Sequence, residues 1–211
     1  MNRFPLVISF YTLDTPYEQE VEHLIRSCEK FSIEHQIEGI PSHGSWEKNC
    51  VFKPLFILKK LEELKRPLLW VDADAVFVRP LVSSDLFSLD LGVRLYDCPD
   101  DHPSRVVSST VFVNATDGGR KVVGLWAQKC LSLLRQKGRK KEVWDQDALR
   151  GVLFEQEHGV SWGALPDFYS VIEGHPEDEK NCTFPMIVQN QASRRYKRWI
   201  NHPEDRFFTT S

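Results

Sequence analysis

The sequence predicts a single α/β domain, residues 1–211, with a mostly parallel (mixed) central β-sheet flanked by helices. Three observations lead there. Apolar runs of strand type alternate with segments of helical periodicity through the first half of the chain, the pattern of parallel strands joined by helical crossovers. One run, Leu68–Val71, is apolar at every position, as a buried strand is. And 211 residues with 41% hydrophobic and 27% charged side chains suit one globular domain with a sizeable core.

The elements follow in order. Pro5–Phe10 reads as a buried strand. Thr15 and Pro16 supply an N-cap and a proline at the first helical position for a helix over Tyr17–Lys30, with Val21, Leu24, Ile25 and Cys28 on one face. Phe31–Ile40 alternates through Ile33, His35 and Ile37 and predicts a second strand. After the loop at Pro41–Ser45, a second helix spans Asn49–Leu64 on the spacing of Phe52, Leu55, Phe56, Leu58 and Leu61, and Pro67 stops it. Ala75–Val78 extends the Leu68–Val71 strand or forms the next one. A strand is expected near Leu91–Leu95, inside the stretch that starts at Asp85, then a polar loop over Asp97–Arg105 and a strand over Val106–Asn114. Gly118 and Gly119 open a helix that runs through Leu134. Arg135–Lys141 is a basic loop, and Trp144–Phe154 a further helix. From Gly163 onward the chain looks irregular, with one apolar run at Phe184–Val188 and a basic end at Arg194–Arg198.

Charge and cysteines narrow the classes. There are 27 Lys and Arg against 30 Asp and Glu, a net charge of −3, which argues against a surface built for nucleic acid. No stretch approaches the roughly 20 apolar residues of a membrane span, and the short N-terminal apolar run reads as a strand rather than a signal peptide. The five cysteines, Cys28, Cys50, Cys98, Cys130 and Cys182, are scattered and odd in number. Reduced thiols in a cytoplasmic protein are expected, without a zinc site.

Asp72-Ala73-Asp74 carries the chemistry. At strand-like spacing two carboxylates at i and i+2 point the same way and converge at the strand end. Close burial of two carboxylates is costly and raises one pKa. A divalent cation removes that cost, and carboxylate oxygens suit Mg²⁺ or Mn²⁺, which keep open positions for phosphate. The competing reading is a turn, yet Val71, Ala73, Ala75 and Val76 are poor turn formers.

With that strand and motif following a βαβ unit, the chain resembles the nucleotide-diphospho-sugar glycosyltransferases of the GT-A fold along nearly its whole length. Phe10-Tyr11-Thr12 sits where that family holds the base and ribose. Trp46-Glu-Lys-Asn49-Cys-Val-Phe-Lys53-Pro resembles the helix start that precedes the Asp-x-Asp strand, and Ser108–Asn114 the strand lining the sugar site. Trp144-Asp145-Gln146-Asp147-Ala-Leu149 is similar to the Asp-Gln-Asp motif of retaining members related to glycogenin and the lipopolysaccharide galactosyltransferases. Leu165-Pro166-Asp-Phe-Tyr169 resembles the segment after it. The resemblance implies a metal-dependent, retaining transfer from a nucleoside-diphosphate sugar, UDP-sugar first, with Mn²⁺ or Mg²⁺ held by Asp72 and Asp74. Tyr11, Thr12, Lys53, Arg194 and Lys197 would hold the donor, and Asp145 and Gln146 would face its sugar. Asp145 also suits a helix N-cap. Retaining relatives often take a third metal ligand from a C-terminal His. Here Gln189 or Asn190 stands in that region, and Asn190 is the expected ligand.

The acceptor, whether saccharide, lipid or protein, is left open. The basic C-terminal segment reads as a solvated end, a phosphate contact or peripheral contact with an anionic membrane. Two other readings compete. A phosphohydrolase of the HAD class also begins with Asp-x-Asp after a strand, and would need a later acidic motif such as Glu177-Asp178-Glu179, expected in a loop. A catalytically inactive nucleotide-sugar-binding protein is the other.

Overall fold

The computed structural model describes residues 4–82, 88–139, 141–155 and 157–202. The expected stretch at Asp85–Phe87, and Lys140 of the basic loop, lie outside them. Strand β1 (Leu6–Thr12), helix α1 (Tyr17–Lys30) and strand β2 (His35–Ile40) form the first βαβ unit. Helix α2 (Trp46–Leu64) leads to β3 (Leu68–Val71) and β4 (Ala75–Phe77). Then come β5 (Leu91–Leu95), β6 (Val106–Val113), α3 (Asp117–Arg135) and α4 (Asp145–Glu155). The C-terminal part holds β7 (Trp162–Ala164), a 3₁₀ turn at Asp167–Tyr169, β8 (Val171–Ile172), α5 (Pro176–Asn181), β9 (Ile187–Gln189) and α6 (Ala192–Asn201).

The expected architecture holds. The main sheet has six strands in the order β2-β1-β3-β6-β5-β7. β1 pairs in parallel with β2 and β3, and β7 with β5. β6 runs against both of its neighbours. Strand parity builds two apolar layers. Leu6, Ile8 and Phe10 of β1 and Leu68 and Trp70 of β3 face α2, α3 and α4, meeting Phe56, Ile57, Leu61 and Trp126. Val7, Leu69 and Val71 point the other way, onto Val21, Leu24 and Cys28 of α1 and onto Met186 and Ile187. Both faces are covered, which explains why β3 is apolar throughout.

Caps correct several boundaries. α2 starts at Trp46, not Asn49, because the Ser45 side chain accepts the Lys48 N–H. It ends before Pro67, at Lys65, whose left-handed backbone (φ 50°) returns its N–H to the Leu61 carbonyl. The second strand starts at His35, later than expected. Thr116 caps α3 through the Gly119 N–H at 3.0 Å.

The region from Gly163 onward is ordered rather than irregular. β9 pairs antiparallel with β4 and parallel with β8, forming a second, three-stranded sheet. Glu177–Glu179 lies in α5, and Asp178 is buried. Its carboxylate accepts from Arg94, the Tyr96 hydroxyl and the Ile172 N–H. Among the described residues no helix is long and apolar enough to cross a membrane.

Candidate active site

A cavity opens at the carboxyl ends of β1 and β3, where α/β sheets place their ligands. Asp72 and Asp74 both line it, but not as alternate residues of a strand. The chain turns there: the Ala75 N–H returns to the Asp72 carbonyl at 3.0 Å, and the Asp72 N–H is fixed to the Ser109 carbonyl at 2.9 Å. That turn carries the chain from the main sheet into the small one. The two carboxylates converge because of it.

Lys53 is the centre of the site. Its ammonium is buried, 2.9 Å from Asp72 Oδ1 and 3.0 Å from Asp145 Oδ2. It also donates to the Ser108 carbonyl at 3.2 Å. Burial by itself would lower its pKa, but the charges of Asp145 and Asp72 outweigh that and hold it well above the usual lysine range. In the structure its protons go to these partners, so Lys53 is the counter-ion of Asp72 and Asp145.

Asp145, the first residue of α4, is buried too. Oδ2 accepts the Ser108 hydroxyl at 2.7 Å, and its carbonyl accepts the Trp126 indole N–H at 2.7 Å. The carboxylate therefore serves the cavity rather than an N-cap. Gln146 lines the cavity beside it, its amide donating to the Pro103 carbonyl at 3.2 Å.

Asp72 and Asp74 are both shifted upward by burial. For Asp72 the pull of Lys53 opposes that rise, while Asp145 adds to it. Asp74 is pushed up to about 6, first by burial, then by the charge of Asp72, against the hydrogen bond from the Ala192 N–H. That bond, 2.6 Å long to Asp74 Oδ2, ties the start of α6 to the carboxylate.

Four charged side chains line the cavity: Asp72, Asp74, Asp145 and Lys53. Their formal sum is −2, an unusual charge to bury unless a cation shares the space. Among the described residues no three His, Cys, Asp or Glu side chains gather in a metal-binding group. A neutral oxygen would have to complete the set, and the structure has one. Gln189 is buried with its Nε2 donated to the Ser109 carbonyl and Thr110 Oγ1, which leaves Oε1 buried and without a hydrogen-bond partner. Gln189, the last residue of β9, lines the cavity, whereas the expected Asn190, which follows the strand, does not.

Tyr11 and Thr12 also line the cavity. Tyr17 lines it as well, a residue that the helix-start pattern disguised. Burial and the nearby Asp74, Cys50 and Asp72 raise its phenol far above the ordinary tyrosine value, while Trp46 hydrogen-bonds to it. Arg194 and Lys197 do not line this cavity; they border a shallower concavity on the outer face of α6. Lys197 is instead paired with Glu142 and lies over the Trp46 and Trp144 rings. Neither basic side chain is brought to Asp72 and Asp74. None of Glu177, Asp178 and Glu179 reaches the cavity either, so the acidic motif of a phosphohydrolase is not assembled.

Comparison with solved structures identifies the fold. A glycosyltransferase involved in the glycosylation of the major capsid of PBCV-1 superposes with a TM-score of 0.65 at 14% identity, over 94% of this chain and 98% of that one. The chain has the fold of these transferases. The galactosyltransferase LgtC, solved in complex with donor and acceptor sugar analogs, matches with a TM-score of 0.56 at 12% identity over 88% of this chain and 87% of its own. The glycosyltransferase GlyE of Streptococcus pneumoniae TIGR4 matches with a TM-score of 0.57 at 16% identity. There the match covers 89% of this chain but 55% of GlyE. No family model matches the sequence, and no curated protein sequence does.

Proposed function

We propose that the chain is a metal-dependent glycosyltransferase. It moves a sugar from a nucleoside-diphosphate sugar, a UDP-sugar first, to a saccharide acceptor with retention at the anomeric carbon. The observation that carries this is the cavity at the ends of β1 and β3, where three carboxylates outnumber one buried lysine. A transferase-like fold around it is the setting in which a cation and a diphosphate would share that charge.

Asp72, Asp74 and Gln189 Oε1 would hold Mn²⁺ or Mg²⁺. That cation supplies a Lewis acid for the leaving diphosphate. The chain's own residues do the rest. Tyr11 and Thr12 receive the nucleoside end. Lys53 fixes Asp72 and Asp145 in one arrangement, so neither carboxylate swings when the donor enters. Asp145 and Gln146 face the sugar, Gln146 on the side away from the acceptor. In the transfer the acceptor oxygen bonds to the anomeric carbon as the bond to the terminal phosphate oxygen breaks. The electron pair leaves on the diphosphate, which also takes the acceptor's proton.

The test is binding, then turnover. UDP with Mn²⁺ should raise the melting temperature, and one member of a nucleotide-sugar panel should be hydrolysed in a Mn²⁺-dependent way. Asp72→Ala and Asp74→Ala should each abolish both effects. Unchanged binding in both variants would refute the metal site. Binding without turnover of any donor would leave a nucleotide-sugar-binding protein.

A further inference from the structure

Trp46, Trp126, Trp144, Trp162 and Trp199 are aromatic faces on which a sugar ring could stack, and the structure separates them. Trp126 is fully buried in the core, and Trp162 packs edge-on against Phe154. Trp199 is on α6 but does not line the cavity. Trp46 lines it yet is only 7% exposed. Trp144 both lines the cavity and leaves 43% of its surface in water. A large apolar ring exposed at the mouth of a polar site needs a partner or a reason.

Its neighbours hold it rigid. Trp46 meets the Trp144 ring edge-to-face, with centroids 5.2 Å apart and planes at 68°. The Lys197 ammonium lies 5.2 Å from the Trp144 centroid and is paired with Glu142. Glu47 of α2 accepts the Val143 N–H and the Arg139 guanidinium, anchoring the approach to Trp144. The indole thus sits on the residue just before Asp145 and Gln146, with Trp46 at its edge and the Lys197 ammonium over part of its face.

We propose that Trp144 is the acceptor platform. The open part of its indole stacks on the apolar face of an acceptor pyranose and brings a hydroxyl of that sugar over the Asp145–Gln146 end of the cavity. Lys197, which lies over part of the indole, and its partner Glu142 are placed to hydrogen-bond the remaining hydroxyls. An aromatic face for the ring's C–H groups and charged groups for its edge is the chemistry of saccharide recognition, and it singles out a sugar rather than a lipid tail or a peptide. This inference rests on the transferase reading.

The experiment uses the full chain with Mg²⁺ and UDP. Saturation-transfer NMR is recorded for methyl β-galactoside, methyl β-glucoside and lactose, with the wild type, Trp144→Ala and Trp144→Phe. The wild type should saturate ring C–H protons of at least one sugar. Trp144→Ala should bind that sugar about five- to tenfold more weakly, and Trp144→Phe should recover most of the loss. In turnover, the ratio of transfer to hydrolysis should fall in Trp144→Ala. Equal saturation in wild type and Trp144→Ala, or none for all three sugars, overturns the platform while leaving the transferase reading intact. A wild type that does not bind UDP with Mg²⁺ refutes both. Because Trp144 is exposed and Trp144→Phe keeps the aromatic contact, a folding defect cannot mimic the expected pattern.

Discussion

Removing the Lys53 ammonium by Lys53→Met should be the most damaging single change at the site. The side chain is 7% exposed and sits at 2.9 Å and 3.0 Å from two carboxylates, those of Asp72 and Asp145. Methionine fills a similar volume, so the loss is electrostatic rather than a cavity. It leaves the buried Asp145 and the half-buried Asp72 carboxylates without their counter-ion and the Ser108 carbonyl without that donor. Breaking a buried pair by deleting one partner costs about 3–5 kcal/mol. In a domain of this size each kcal/mol is about 2–4 °C of melting temperature, so a drop on the order of 10 °C is expected. The assay is thermal and urea unfolding at pH 7 without metal, in a cycle with Asp145→Asn. The double variant should be more stable than Lys53→Met, because one uncompensated charge has gone. Mn²⁺ should also restore more stability to Lys53→Met than to the wild type, since the formal cavity charge falls from −2 to −3. A loss below about 1 kcal/mol would mean that the ammonium behaves as a surface group, and would refute the counter-ion role. A double variant no better than the single would refute the charge argument.

Two further predictions test the fold and its titration. Asp74 has a folded pKa of about 6 against an ordinary 3.8, so the folded protein binds its proton more tightly than the unfolded chain does. Its ionisation therefore costs stability, with the cost growing as pH rises through that window. Asp74→Asn should gain on the metal-free wild type between pH 4 and pH 7, measured by urea midpoints; parallel curves would refute the shift. Gly119→Ala would place a Cβ 2.1 Å from the Asn114 carbonyl oxygen, and should cost about 1–3 kcal/mol, whereas Gly124→Ala, with nothing within 4 Å, should stabilise α3 by up to about 1 kcal/mol in the same unfolding assay.

The main sheet was legible because its strands are buried on both faces and its helices are long enough to show a period. β3 is apolar throughout, β1 and the ends of β6 are mostly apolar, and α1 repeats Val21, Leu24 and Cys28 on its covered side. Of the small sheet only β4 was legible, as the expected Ala75–Val78 strand; β8 and β9 are two and three residues long, too short to show a pattern, and the pairing joins Ala75 to Gln189 across the chain. That long-range pairing also decides which of Gln189 and Asn190 reaches the cavity. Gln189 ends β9 and Asn190 follows it, and the sequence carries no mark of which one faces the cavity.

The same physics explains why, of the residues expected at the site, Asp72, Asp74, Asp145 and Lys53 line the cavity while Arg194 and Lys197 do not. A pair of aspartates between apolar neighbours is visible in sequence, since a buried charge is rare and asks for a reason. A run of basic residues carries no such signal, because a solvated helix face looks the same. On α6 the buried positions are Ala192 and Ile200, and Ser193 and Ile200 are the side chains that reach the cavity. Arg194 and Lys197 fall on the adjoining outward face, where Lys197 meets the tryptophans at the mouth instead of the carboxylates within. The cation that does balance Asp72 and Asp145 comes from α2, at a position where a lysine among Phe52, Pro54 and Phe56 is as out of place as an aspartate after β3. Buried charge of either sign, read as a pair, is the signal that assembles this site.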